Sequence, residues 1–171
     1  MTLQQNNDNM HDVTTKVTTK KTKDRSVVHE NKKENKKETD MKKVVEFLQE
    51  NPVQYLATVG RDGKAKCRPF MFAGEMDGKL WFCTNNTKDV FKDMQKNPEV
   101  EISVSSPSYA WLRLHGRTVF ENNMAAKEMC IANPIVKGQY ETAGNPIFEV
   151  FYLEEPHGVI ADFSGNPPYE F

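Results

Sequence analysis

Between Val53 and Phe72 the chain reads strand, tight turn, strand, and that hairpin constrains the fold more than any other feature. Val53–Val59 is rich in β-branched and aromatic residues, Gly60-Arg61-Asp62-Gly63 supplies the turn, and Lys64–Phe72 returns. Two strands joined so tightly must run antiparallel. The same grammar recurs downstream, where Met76-Asp77-Gly78 turns into a strand over Lys79–Thr84. Val100, Ile102 and Val104 alternate with Glu101, Ser103 and Ser105, which gives one dry and one wet face. Tyr109–Glu121 is a longer strand, with Leu112 and Leu114 on one face and Trp111, Arg113 and His115 on the other. Ile147–Leu153 and Val159–Phe163 follow, before a Pro-rich coil.

Three helical stretches interrupt this series. Val44, Val45, Phe47 and Leu48 form a stripe that Asn51-Pro52 stops; Lys88–Lys96 carries Val90, Phe91 and Met94 and ends at Asn97-Pro98; a third spans Asn123–Asn133. Strands and helices do not alternate regularly, and no internal repeat is visible. The predicted fold is mainly β (α+β): an antiparallel barrel of six to seven strands with a few short helices.

Only 37% of the residues are hydrophobic, and the deficit is concentrated at the start. Residues 1–40 hold 9 of the 23 Lys and Arg and 7 of the 24 Asp and Glu, so the segment is net +2 and the remainder net −3. Such a segment buries too little apolar surface to offset the entropy of ordering. It is expected to be a disordered polar tail, or at most a frayed helix near its end, with the folded domain over 41–171. Neither charge balance calls for nucleic acid or a membrane surface as partner. Cys67, Cys83 and Cys130 form no C-x-x-C pair and are odd in number, which argues against a disulfide framework or zinc site and fits a reducing cytosol. No apolar run reaches the roughly 18 residues of a membrane span, and no signal-peptide core opens the chain. A soluble cytoplasmic protein is expected.

Thr84-Asn85-Asn86-Thr87-Lys88 leads from a strand into a helix, where unpaired N–H groups and the helix dipole favour an anion. A lysine at that end is disfavoured unless an anion occupies the cradle; an ordinary N-cap beside a solvent-facing lysine is the alternative. Pro69 cannot donate to a central ladder, so Arg68-Pro69-Phe70 belongs at an edge or an opening, where Arg68 can reach an anion or simply face water. Trp111, Arg113 and His115 on one face suit a flat polar-edged ring, a dimer surface or solvent equally. Cys83, between aromatic neighbours, reads as a small buried residue with a raised pKa. No Rossmann or phosphate-loop signature is present.

Taken in order, Tyr55-Leu56-Ala57-Thr58, Arg68-Pro69-Phe70, Leu80-Trp81-Phe82-Cys83-Thr84, Lys88, Asn97-Pro98-Glu99-Val100-Glu101-Ile102 and Leu112-Arg113-Leu114-His115-Gly116 resemble the pyridoxamine 5′-phosphate oxidase-like flavin proteins, nearest the short members grouped with nitroimidazole-resistance proteins. The resemblance spans about residues 41–163. It implies a split β-barrel that binds FMN at the interface of a homodimer. It places Arg68 and Lys88 at the phosphate with Asn86 and Thr87 assisting, Thr84 and the backbone around Phe70 and Cys83 along the isoalloxazine, and Trp111 approaching across the interface. Pro69 belongs to the same binding stretch. The implied activity is an FMN-dependent reductase of a nitro- or quinone-type small molecule, with NAD(P)H as a possible donor. A non-catalytic flavin-binding or sensing module is the alternative. Some relatives of the barrel take haem or deazaflavin instead; no distinctive axial ligand is apparent here, with His115 and His157 the histidines left open for that role. The ending Phe163-Ser-Gly-Asn-Pro-Pro-Tyr-Glu-Phe171 lacks Arg and His, which disfavours oxidation of pyridoxamine phosphate itself. No catalytic acid or base and no metal site is legible.

Overall fold

The computed structural model describes the backbone from Lys20 and the side chains from Asn35 to the C-terminus. The chain divides into two units, Met1–Lys37 and Glu38–Phe171. The first holds the beginning of α1 (Lys20–Glu50) and the second its remainder. The helix thus runs through residues 20–40, where composition points to a disordered tail or a frayed helix; residues 1–19 of that tail lie outside the described residues.

Among the described residues all strands lie in the second unit: β1 (Gln54–Val59), β2 (Ala65–Phe70), β3 (Phe72–Met76), β4 (Lys79–Asn85), β5 (Glu99–Ser105), β6 (Trp111–Phe120), β7 (Phe148–Ala161) and β8 (Tyr169–Glu170). Three short helices join them: α2 (Asp89–Lys96), α3 (Met124–Ile131) and α4 (Pro134–Tyr140). Every strand pairing is antiparallel. The sheet runs β2-β1-β5-β6-β7-β4-β3, with β8 added beside β7. Its two edges, β2 and β3, are separated in the chain only by Met71. A sheet whose first and last strands are consecutive must curl until those edges meet, and this one forms a barrel left open between β2 and β3.

The barrel interior is built by strand alternation. Leu56, Ile102, Val104, Leu112, Leu114, Leu80 and Phe82 point inward and are essentially dry, and Phe82 stacks on Phe151 with ring centroids 5.5 Å apart. Each large side chain so buried contributes roughly 1.5–3 kcal/mol. α1 lays Val44 and Leu48, one helical turn apart, against this core. The buried Gln54 fixes the start of the barrel: its amide donates to Leu48 O at 2.9 Å, and its Oε1 accepts from the Phe72 N–H at 2.8 Å. A second apolar layer lies outside the sheet, where Trp81, Phe148 and Val150 meet Ala126 and Cys130 of α3 and Val136 and Tyr140 of α4.

Four departures from the sequence reading have physical causes. The strand expected over Lys64–Phe72 breaks at Met71 into β2 and β3, the two open edges of the sheet. The two strands expected over Ile147–Leu153 and Val159–Phe163 are one, β7, carried through a left-handed Glu155 (φ 49°) and a register shift opposite Gly116. A helix absent from the sequence reading follows α3: the Asn133 side chain accepts from the Ile135 N–H and Pro134 occupies the first turn of α4. The terminal coil closes into β8, where Gly158 and Phe171 exchange backbone hydrogen bonds of 3.2 Å. A Cβ at Gly158 would stand 1.9 Å from Arg113 O, so only glycine admits this close approach.

Candidate functional site

The turn from β4 into α2 is organised by one side chain. Asn85 Oδ1 accepts from Thr87 N–H at 3.1 Å, from Thr87 Oγ1 at 2.7 Å and from Lys88 N–H at 3.1 Å. Lys88 is the N-cap residue of α2 in extended conformation, and its side chain makes no capping hydrogen bond. The first N–H groups of α2 therefore have no side-chain acceptor, although three of the four flanking residues are of capping type.

Two cavities border this helix start. The first, about 390 Å³, is charged and lined by Arg61, Asp62, Lys66, Arg68, Asp89, Val90 and Asp93. The second, about 350 Å³, is mostly apolar, with Pro69, Phe70, Met71 and Cys83 on the sheet side and Ile135, Val136, Gln139 and Tyr140 on α4; Lys88 also lines it. Consecutive residues of the same two elements line both: Arg68 then Pro69 on β2, and Lys88 then Asp89 at α2.

The cations differ in how they are engaged. Arg61 Nε pairs with Asp93 at 2.9 Å and its Nη2 with Asp89 at 2.6 Å, while Lys66 pairs with Asp62 at 3.1 Å. Asp93, nearly buried, also accepts from the Arg61 backbone N–H at 3.0 Å, and these bonds hold its carboxyl below the usual range. Arg68 instead donates to Thr58 Oγ1 at 2.8 Å and Leu56 O at 3.3 Å, both neutral acceptors. Among the described residues, neither Arg68 nor Lys88 has a carboxylate within ion-pair distance.

The structure brings Pro69, Phe70, Cys83 and Lys88 to one cavity and Arg68 to its neighbour. Pro69 lies on an edge strand, as its missing N–H requires. Thr84 lies on the inward face of β4 with Leu80 and Phe82, and its Oγ1 is buried without a hydrogen-bond partner. Asn86 turns away from the helix start: its amide donates to Pro146 O at 3.1 Å and Glu149 Oε1 at 3.0 Å. The Thr87 hydroxyl proton is committed to Asn85. Trp111 lines neither cavity of this chain; its ring rests on Phe163 at 5.1 Å. His115 and His157 stack on each other at 5.5 Å, away from both cavities, with His115 Nε2 3.5 Å from Glu101. Among the described residues no cluster suited to a metal ion occurs.

Cys83 corrects an expectation. Its thiol is held below, not above, its ordinary value, chiefly by the neighbouring Cys130 thiol and also by the charge of Lys88. Burial acts the other way and is outweighed. Sequence reading missed Asn85 as the loop's organiser, although it stood within the motif, and the whole α4 wall. The Asn-Pro pair before α4 is the signal that could have found the latter.

An open antiparallel barrel, with an anion-ready helix start beside an apolar slot on its outer face, defines the split-barrel class. The family model described as pyridoxamine 5′-phosphate oxidase matches residues 41–153. The chain is similar to a NimC/NimA family protein from Clostridium acetobutylicum, at 34% identity over 77% of this chain and 92% of that one, with a TM-score of 0.69. The fold is shared with a pyridoxamine 5′-phosphate oxidase-related, FMN-binding protein from Nostoc punctiforme (18% identity, 70% and 78% covered, TM-score 0.55). It is also shared with a heme-binding protein from Mycobacterium smegmatis (16% identity, 73% and 54% covered, TM-score 0.61). No curated protein matches the sequence. The chain belongs to the pyridoxamine 5′-phosphate oxidase-like family.

Proposed function

We propose that this protein is an FMN-binding oxidoreductase that reduces a small flat acceptor, of nitroaromatic or quinone type. The observation that carries the reading is the pair of cations without carboxylate partners, Arg68 and Lys88, at adjacent cavities around the uncapped start of α2. An anionic group answers both cations and the open N–H groups at once, and a flat ring suits the neighbouring apolar wall.

In this reading Arg68, Lys88 and the first turn of α2 hold the phosphate. Pro69, Phe70 and Cys83 line the ring on one side, with Val136 and Tyr140 of α4 excluding water. Thr84, on the inward face of β4, lines neither cavity, so in this reading its buried hydroxyl makes no contact with the ligand. Bound flavin supplies reversible electron transfer between a donor such as NAD(P)H and the acceptor. A second copy of the chain, docked on the outer face that carries Tyr55, Ser103 and Arg113 in register, brings Trp111 to the site. The role of Asn86 is confined to holding the loop against β7, since its amide is already engaged.

No carboxylate or imidazole lines the apolar cavity, which favours a second reading, a flavin-binding or sensing module without turnover. The test is the absorption spectrum of the purified full-length protein before and after added FMN, with chromatography of whatever heat releases, followed by NAD(P)H oxidation with nitroaromatic and quinone acceptors. A flavin spectrum with turnover is expected. A flavin spectrum without turnover selects the sensing module. Protein that is colourless and takes up no FMN overturns both.

A further inference from the structure

Arg61 and Arg68 line the same charged cavity and present their guanidinium groups in opposite ways. An arginine has a side-on edge, where the Nε–H and one Nη2–H run parallel and match two oxygens of a single phosphate. In Arg61 that edge is closed, Nε by Asp93 at 2.9 Å and Nη2 by Asp89 at 2.6 Å. In Arg68 it is open. Both hydrogen bonds of the Arg68 guanidinium leave from Nη1, to Thr58 Oγ1 at 2.8 Å and to Leu56 O at 3.3 Å. Among the described residues, no acceptor takes its Nε–H or its Nη2–H.

The barrel fixes this arrangement from behind. Leu56 and Thr58 both point to the inner face of β1, and Arg68, paired with Leu56 across the hairpin, shares that face. Thr58 is therefore the diagonal neighbour of Arg68. The arginine is half-buried on an edge strand, whereas Thr58 is 5% exposed and inside the barrel. A long arginine side chain has much rotamer freedom to lose, and a β-branched threonine on a central strand has little. Without the hydroxyl, Nη1 keeps only the longer bond to Leu56 O, and the guanidinium is free to turn its open edge elsewhere.

We propose that Thr58 is a positioning residue of the anion site: its buried hydroxyl ties down Nη1 of Arg68 and so aims the Nε–H and Nη2–H of that arginine at the phosphate. The proposal rests on the flavin reading and adds the mode of contact to it. The phosphomonoester takes two parallel hydrogen bonds from Arg68, and Lys88 and the first turn of α2 supply the remainder. Thr58 lines neither cavity, so it touches neither the phosphate nor the ring and acts only through Arg68. Its hydroxyl therefore matters to FMN and not to riboflavin, which has the same ring without the phosphate.

The test is fluorescence titration of the full-length apoprotein with FMN and, separately, with riboflavin. Thr58→Val keeps the side-chain shape and removes the hydroxyl; Thr58→Ser keeps a hydroxyl. Thr58→Val should weaken FMN binding roughly 5- to 10-fold, a fraction of what losing the guanidinium costs. Its riboflavin affinity, and the FMN affinity of Thr58→Ser, should both stay within about twofold of wild type. In an Arg68→Ala background, Thr58→Val should cost less than about twofold more, because the arginine it positions is gone. This last comparison reads the role even where riboflavin binds too weakly to titrate. Unchanged FMN affinity in Thr58→Val overturns the proposal. So does an equal loss for FMN and riboflavin, which marks a purely structural role, or a full additive loss in the Arg68→Ala background. Each of these three leaves the flavin reading standing. Wild-type protein that takes up neither flavin overturns that reading and the proposal together.

Discussion

The two cavities beside α2 are similar in size and opposite in character. In the larger one Arg61 and Lys66 are matched by Asp89, Asp93 and Asp62, so the charges close on themselves and tie the β1–β2 turn to the helix. In the smaller one Lys88 stands over an apolar wall with no carboxylate within ion-pair distance among the described residues. Arg68 lines the first cavity and its charge reaches Asp93, but its own hydrogen bonds go to a hydroxyl and a carbonyl, and no carboxylate lies within ion-pair distance of it. Paired cations build structure, and cations left without carboxylates are available to a ligand. The distinction is energetic: an internally neutralised group must be unpaired before it can bind an anion.

The largest expected effect breaks this comparison directly. Lys88→Ala or Arg68→Ala should each weaken FMN binding roughly 10- to 100-fold, the scale of one hydrogen bond to a charged group. Lys66→Ala, which removes a cation already paired with Asp62, should leave affinity within about twofold, since an exposed ion pair is worth little. Fluorescence titration of the apoprotein measures all three. Equal losses from Lys66 and Lys88 would mean that net positive charge, not the unpaired pair, holds the ligand.

A smaller effect sharpens the structural half. Asp93 is held low first by the Arg61 backbone N–H and then by its guanidinium. A carboxylate depressed in the folded state stabilises above its unfolded pKa, about 3.9, and that contribution disappears as pH falls through the depressed value. Asp93→Asn should therefore lower the melting temperature by a few degrees at pH 7, and the gap from wild type should shrink towards pH 3. Thermal melts across that range decide it; a gap that does not change with pH would show that the carboxylate charge is not what ties the turn to α2.

How much of this was legible follows from which interactions are local. The β1–β2 hairpin, the polar turn into α2 and the edge position of Pro69 are written in neighbouring residues, and the structure contains each of them. The split at Met71 was not legible, because the chain stays extended through it and only the closing of the barrel separates β2 from β3. β7 read as two strands because Glu155-Pro156 carries a turn signal that long-range pairing with β6 overrides. At the site, Arg68, Pro69, Phe70, Cys83 and Lys88 were gathered by the family resemblance, while the residues alone left an ordinary N-cap and a solvent-facing arginine open. The influence of Cys130 on Cys83, which reverses the expected direction of the Cys83 pKa, comes from a residue 47 positions away and has no local signature.

The finest test concerns two adjacent asparagines that the sequence cannot rank. Asn86 has the look of a phosphate donor, yet its amide is spent on Pro146 and Glu149, on the β7 side of the loop. Asn85 accepts three hydrogen bonds that set the path into α2, and so fixes where the open N–H groups and Lys88 stand. Asn85→Ala removes an N-cap-like acceptor and should cost about 1 kcal/mol of stability. It should also weaken FMN binding several-fold, because the cradle loses its shape while keeping both cations. Asn86→Ala should cost a similar amount of stability and leave FMN affinity unchanged. Denaturant melts and flavin titration of the two variants, run side by side, separate positioning from contact. A selective loss of affinity at Asn86 would mean that its amide swings to the ligand when FMN arrives, and that the loop's order in the free chain differs from its order in the complex.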